Sequence, residues 1–304
     1  MAILHADFEG DLRLAKVLDA EIRLSLADRG SMRRTGAVDF GGSVNGTFSD
    51  THTLRQIDLD GASAFTAMAA EDTAVTATDP TVTTVDCAVG RASFMRTIGD
   101  QFVFTGPAGN RIDAPRLAQS MAGEWDAYWM DTLATLIATA STDVGSTGVD
   151  MSVDDQMDAI FQMILGSVPG PYWELLHPRQ FADFVGSLRG ETGPLALIPA
   201  TGALLALTGP GFKGSFLNCN IFTNARVTAS GGDRNGALWG QGAMTYKIGT
   251  AEAPIGVVSV RPDQEILVEF ARQGTKALSD VIGHGYLGMA IREQARIVGI
   301  VTDQ

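Results

Sequence analysis

The chain has 304 residues, 45% of them apolar, with 35 Asp/Glu against 22 Lys/Arg and a net charge of −13. That length accommodates two domains or one elaborate domain, and the apolar content supports a sizeable core and excludes general disorder. The charge is uneven: residues 100–200 carry thirteen Asp/Glu against four Lys/Arg, and residues 201–304 eight against nine. No basic stripe of the kind a direct nucleic-acid binder presents is visible. Cys87 and Cys219 lie far apart, in neither a disulfide framework nor a metal-site spacing, and read as reduced thiols of a cytosolic product. The opening MAILHADFEG has no basic n-region and is broken by Asp7 and Glu9, so no signal peptide is expected. No run of eighteen apolar residues exists, so no membrane span is expected.

Residues 11–29 place Leu12, Ala15, Leu18, Ile22 and Leu26 at spacings of three and four, which predicts an amphipathic helix stopped by Gly30. The Gly/Ser/Asn-rich stretch after it reads as an extended connection, so the chain begins with a helix on a tether. Residues 53–98 are rich in small residues, Thr and Val. GASAFTAMAA (61–70) and TVTTVDCAVGRASFMRTI (81–98) predict the two arms of a long hairpin. With few large apolar residues of its own, such a hairpin needs a surface to lie on, in this chain or in another copy.

Residues 112–141 form the strongest element. Asp113 suits a cap and Pro115 a first turn, and Leu117, Met121, Trp125, Trp129, Leu133, Leu136 and Ala140 make one apolar stripe. STDVGSTGVD (141–150) reads as a linker. A second helix follows, with Ser152 and Asp155 at capping-box positions. YWELLHP (172–178) reads as a buried strand ending at proline, and RQFADFVGSLRG (179–190) as a short helix ending at glycine. After a loop-rich stretch, 216–229 is strand-like and 236–249 is small and Gly-rich. Strands are expected at 255–260, 264–272 and 286–302.

Little of this carries chemistry. His5, His52, His177 and His284 are more than forty residues apart, and none pairs with Cys or a carboxylate at ligand spacing. Asp150, Asp154, Asp155 and Asp158 lack calcium-loop order and suit a helix N-terminus. GPGFKGS (209–215) has phosphate-loop residues in the wrong order, and GGSVN (41–45) lacks the last glycine of a nucleophile elbow. GHGYLG (283–288) fits G-x-G-x-x-G, yet only sixteen residues follow it, too few for the crossover and acidic residue of a dinucleotide site. Its glycines are read instead as a turn between two strands, chosen for positive φ or close packing. No catalytic, cofactor-binding or metal-binding residue is assigned.

The order of elements resembles the major capsid proteins of tailed phages with the Hong Kong 97-type fold. TTVDCAVGRASFMRTIGDQF resembles the strand returning from that family's extended loop. YWELLHPRQFADFVGSL resembles its apolar strand, proline turn and short helix, GSFLNCNIFTNARVTA its strand crossing the axial domain, and GYLGMAIREQARIVGI its closing strand. The resemblance covers residues 50–304 and rests on the order of elements, with no single specific motif. It implies an α+β fold with an N-terminal arm (1–49) and an extended β-hairpin loop (50–98). A peripheral domain with a long spine helix (99–149 and 254–304) and an α/β axial domain (150–253) complete it.

The function so implied is structural and not enzymatic. Hexamers and pentamers of the chain would close an icosahedral virion shell around double-stranded DNA, enclosed without sequence-specific binding, after synthesis in the host bacterial cytoplasm. No cofactor and no membrane are implied. The implied partners are other copies, portal and scaffolding proteins, and optionally a decoration protein. A chain starting at Met1 carries the further expectation of a separate scaffolding protein in place of a removed N-terminal segment. Some members lock the shell through a Lys–Asn isopeptide bond whose lysine lies in the extended loop. Here lysines occur at 16, 213, 247 and 276, so the loop has no donor. An encapsulin-like nanocompartment shares the fold and is the alternative. An acidic surface protein lacks the signal peptide, and an enzyme lacks a site.

Overall fold

The computed structural model describes residues 20, 22, 32–44, 51–58, 81–99, 114–190, 197–199, 211–227, 229–230, 232–249, 258–260, 265–273 and 278–303. Of the helix expected over 11–29 only Ala20 and Ile22 are among them, and Ile22 is fully buried. The tether that follows is anchored to its own chain over 32–44. A 3-10 turn (Met32–Arg34) leads into strand β1 (Asp39–Ser43), and Met32, Ala37 and Val38 are buried. Trp239 Nε1 donates to the Ala37 carbonyl (2.6 Å), and Thr245 Oγ1 donates to that of Asp39 (3.0 Å).

Strand β2 (Thr51–Asp58) pairs antiparallel with β3 (Thr81–Ala88), Thr51 opposite Ala88 and Asp58 opposite Thr81. The extended hairpin is thus present, with its first arm earlier than the stretch 61–70 assigned to it; 61–70 lies outside the described residues. Among the described residues of β2 and β3 only Cys87 is buried. A two-stranded ribbon with that little core is marginal in water. Past Val89 the chain continues as β4 (Gly90–Gly99) and leaves the hairpin for a larger sheet.

Helix α1 (Ala114–Ile137) follows, 24 residues and about 36 Å long. The expected linker then contains a short strand, β5 (Asp143–Gly145). Helix α2 (Val153–Leu165) starts at the predicted capping box: Asp155 N–H donates to Ser152 Oγ (3.2 Å), and Ser152 N–H to Asp155 Oδ2 (2.8 Å). Strand β6 (Tyr172–Leu176) is buried throughout, and helix α3 (Pro178–Gly190) places proline at its first position, where the missing N–H has no partner to lose. Then come β7 (Ile198–Pro199), β8 (Phe212–Phe216), β9 (Cys219–Thr223), β10 (Ala229–Ser230), β11 (Asp233–Trp239) and β12 (Met244–Gly249). The C-terminal strands are β13 (Val258–Val260), β14 (Leu267–Gln273), β15 (Leu278–Ile291) and β16 (Ile297–Thr302).

Two sheets share α1. One runs β1-β12-β15-β14-β13, with β4 also on β15; the other runs β5-β16-β11-β6-β9-β8-β7, with β10 on β11. Along α1, Met121, Trp125, Trp129, Leu133 and Ile137 are buried in one cluster that takes Tyr246, Ile266, Val281 and Met289 from the first sheet. Trp173, Leu175, Trp239 and Ile297 join it from the second. The opposite face of the second sheet carries α2 and α3 over a separate cluster containing Ile160, Met163, Phe184, Phe216 and Ile221.

β11 pairs with β16 in one sheet and β12 with β15 in the other, so residues 233–249 and 278–302 form one antiparallel ribbon that crosses between sheets. At the crossing Gly240 N–H donates to Arg296 O (3.0 Å) and Arg292 N–H to Ala243 O (2.8 Å). β5 and β16 belong to the sheet built mainly from 172–239.

The expected turn at GHGYLG is absent. β15 runs unbroken through it, paired to β14 and β4 over 278–284 and to β12 over 286–291. The glycines serve the other expected use, close packing: a Cβ at Gly285 would overlap the Trp125 ring, and one at Gly283 would lie 2.8 Å from Met121 Cε. Gly285→Ala is expected to lower the stability of the soluble chain by about 1–3 kcal/mol in chemical unfolding. Combined with Trp125→Phe it should cost less than the sum of the two single changes, because one clash underlies both.

Candidate functional site

A groove of about 230 Å³ runs between α1, β4 and β15, lined by Phe94, Met121, Trp125, Tyr128, Ile266 and His284 among others. Trp125 and Tyr128, one helical step apart on α1, stack at 5.9 Å. Asp131 pairs with Arg226 at one end. Trp125 Nε1 donates to Glu265 Oε2 (3.0 Å), and Glu265 also pairs with Arg33, so the tether and the spine helix meet on one carboxylate.

His284 is the group here most open to chemistry. Arg91 Nη2 lies 2.9 Å from its Nδ1, and Glu269 Oε2 lies 3.5 Å from its Nε2. The same Nη2 lies 3.4 Å from Nε2, so the guanidinium and the Glu269 carboxylate bracket the ring. Ser93 is the cross-strand partner of His284. With both ring nitrogens engaged, none is left to take a proton from a serine, and nucleophilic activation has no geometry here. The arrangement instead ties β4, β15 and β14 together at the base of the extended hairpin.

The second unusual group, Glu174 on β6, was not singled out in the sequence, where its signal is one acid inside an apolar strand. It is fully buried: Gln156 Nε2 donates to its Oε2 (2.9 Å), Cys219 Sγ lies 3.5 Å from the same oxygen, and Oε1 has no partner among the described residues. Burial raises its pKa to about 8, against the opposing pull of the Cys219 and Gln156 hydrogen bonds. Burial likewise raises both thiols, and Cys87 and Cys219 are free, buried and unfavourable as thiolates.

The other residues weighed from sequence are dispersed. His177 caps α3, its Nδ1 accepting from Arg179 N–H (3.2 Å) while its own N–H donates to Gln180 Oε1 (2.9 Å). Burial, with Arg234 nearby, lowers its pKa. Asp155 is held in the α2 cap, and among the described residues no three His, Cys, Asp or Glu are grouped to hold a metal. Lys213 and Gly214 lie in β8, not in a phosphate loop. His5 lies outside the described residues. None of the described helices is long and apolar enough to cross a membrane.

No family model and no curated protein matches the sequence. Solved structures do match. The capsid of Ralstonia phage GP4 aligns at TM-score 0.60 and 10% identity, over 91% of this chain and 90% of that one. A chain from Mycobacterium phage Che8 aligns at 0.53 and 15%, over 83% and 84%. The encapsulin of a holo complex from Synechococcus elongatus PCC 7942 aligns at 0.53 and 11%, over 84% and 82%. The fold is therefore the Hong Kong 97-type fold shared by these shell proteins, as the order of elements suggested.

Between the unfolded glutamate range and about 8, the folded chain keeps a proton on Glu174 that the unfolded chain has released. The associated stability is full below the unfolded value and is lost as pH rises through about 8. Denaturant titrations of the soluble chain should show stability falling across that window. Glu174→Gln should flatten the fall, and an unchanged slope would assign it to other groups.

Proposed function

We propose that this chain is the major capsid protein of a tailed phage, a structural protein and not an enzyme. Its hexamers and pentamers close an icosahedral shell around double-stranded DNA. The observation that carries this is a hairpin with one buried residue among those described, extending from a fold matched over about nine-tenths of its length by a phage capsid chain. Such a ribbon gains its missing core by lying on a neighbouring subunit.

The acidic balance suits a container that must be filled with a polyanion without binding it tightly. In this reading the arm is 1–49, the extended loop 50–98, the peripheral domain 99–149 with 254–304, and the axial domain 150–253. Portal and scaffolding proteins would be partners, with a decoration protein optional. The chain would be made in the bacterial host cytoplasm and reside in the virion. An encapsulin-like compartment is the second reading, favoured by the match to the Synechococcus elongatus shell.

Electron microscopy of the particles, with their absorbance ratio at the nucleic-acid and protein maxima, tests both. Uniform icosahedra rich in DNA are the expected result, DNA-free closed shells would favour the compartment, and absence of any shell would overturn both. Because no lysine lies between Lys16 and Lys213, denatured particles should run as single chains. A ladder of loop-linked oligomers by mass spectrometry would contradict this.

A further inference from the structure

We infer that neighbouring copies dock through their outer helices: the exposed apolar stripe of α2 seats on the small-residue face of α3 in the next copy. This rests on the shell reading and names one of its contacts. α2 turns Val153, Gln156, Ala159, Ile160 and Met163 toward the sheet, as an amphipathic surface helix should. Yet Met157, Phe161, Ile164 and Leu165 are 37, 55, 59 and 63% exposed on another side of the same helix. One exposed leucine needs no explanation, but four large apolar residues at i, i+4, i+7 and i+8 form a contiguous ridge.

α3 presents the complement. It buries Gln180 and Phe184, and its exposed residues include Arg179, Ala182, Gly186 and Arg189, a shallow face with an arginine toward each end. A glycine inside a helix is about 1 kcal/mol less favourable than alanine. Nothing lies within 4 Å of a Cβ built on Gly186, so packing within the chain does not require the glycine. A glycine there leaves room for close approach by another surface.

Charge selects the pairing. Exposed Asp154 and Asp158 flank the α2 ridge, whereas Arg179 and Arg189 supply two of the four Lys/Arg in residues 100–200. Arg179 also pairs with Asp183 at 3.7 Å, on its own helix and with its side chain 60% exposed. α2 itself carries no Lys or Arg, so an α2–α2 contact would bring those aspartates no cation from either helix. The occupant is therefore α3 of a second copy. A contact between two different patches of one chain is heterologous, and such contacts close into rings or run on as filaments. Ring closure is what a hexamer or pentamer requires.

The test mixes two chains that each carry one added cysteine, Phe161→Cys and Gly186→Cys, before assembly. Cys87 and Cys219 are buried, and the wild-type chain is the control for their reactivity. Mild oxidation should link the chains only in the mixture, and the double variant should give a ladder ending at the ring size. Linking of Phe161→Cys to itself, or complete shells without the mixed link, would overturn the inference while leaving the shell reading intact. A wild-type chain that stays monomeric at every concentration would overturn both. As an independent check, Arg189→Glu should raise the concentration needed for assembly about tenfold, and adding Asp158→Arg should restore most of it. A charge reversal without effect would overturn the pairing.

Discussion

Trp125 lies against the backbone of β15 at a place only glycine permits, and the two sheets meet through the helix that carries it. Without Gly285 the indole could not approach the strand, and without the indole the first sheet would lose a large part of its cover. The one buried face of α1 meets both sheets, which explains why its stripe holds two tryptophans and a methionine where a surface helix needs only aliphatic residues. Trp129 Nε1 has no hydrogen-bond partner among the described residues, so this second indole works by apolar contact, including an edge-on contact with Tyr246 at 5.8 Å.

The crossing ribbon has the same consequence from the backbone side. Because β11/β16 and β12/β15 are continuous pairs, neither sheet can move far without bending the hydrogen-bonded crossing at Gly240–Ala243 and Arg292–Arg296. The tether strengthens the join: Arg33 reaches Glu265 near the first sheet, and the Ala37 carbonyl accepts from Trp239 in the second. Among the described residues only the base of the hairpin of β2 and β3 touches this body, where the Ala88 carbonyl lies against Gly288 of β15. It joins the body through β4, which His284 and Arg91 link to β15 and β14.

Elements with local causes were legible. The α1 stripe, the Ser152–Asp155 box and the strand-proline-helix order of 172–190 all follow from spacing within one turn or strand. What was not legible depends on distant partners. The glycines of GHGYLG look like a turn because their reason, Trp125, lies about 160 residues away in sequence. The break between β8 and β9 was hidden because its two-residue turn is Leu217-Asn218, both at positive φ, where an Asn-Gly pair would have announced it. The linker 141–150 hid β5 because a three-residue strand has no periodicity to detect. Glu174 was passed over for a related reason: the depth of a buried acid depends on sheets and helices that the strand does not contain.

These cases separate the parts of the chain that complete themselves from those that do not. Trp125, Gly285 and Glu174 have their reasons within the chain. The hairpin ribbon, the α2 ridge and Gly186 do not: one has almost no core, one exposes apolar area beyond its buried face, and one accepts a helix penalty with nothing above it. Selection on a lone soluble chain would tend to remove all three, by shortening the ribbon, replacing the ridge with charge and changing the glycine to alanine. Their joint presence makes physical sense when the folded unit is incomplete until other copies surround it.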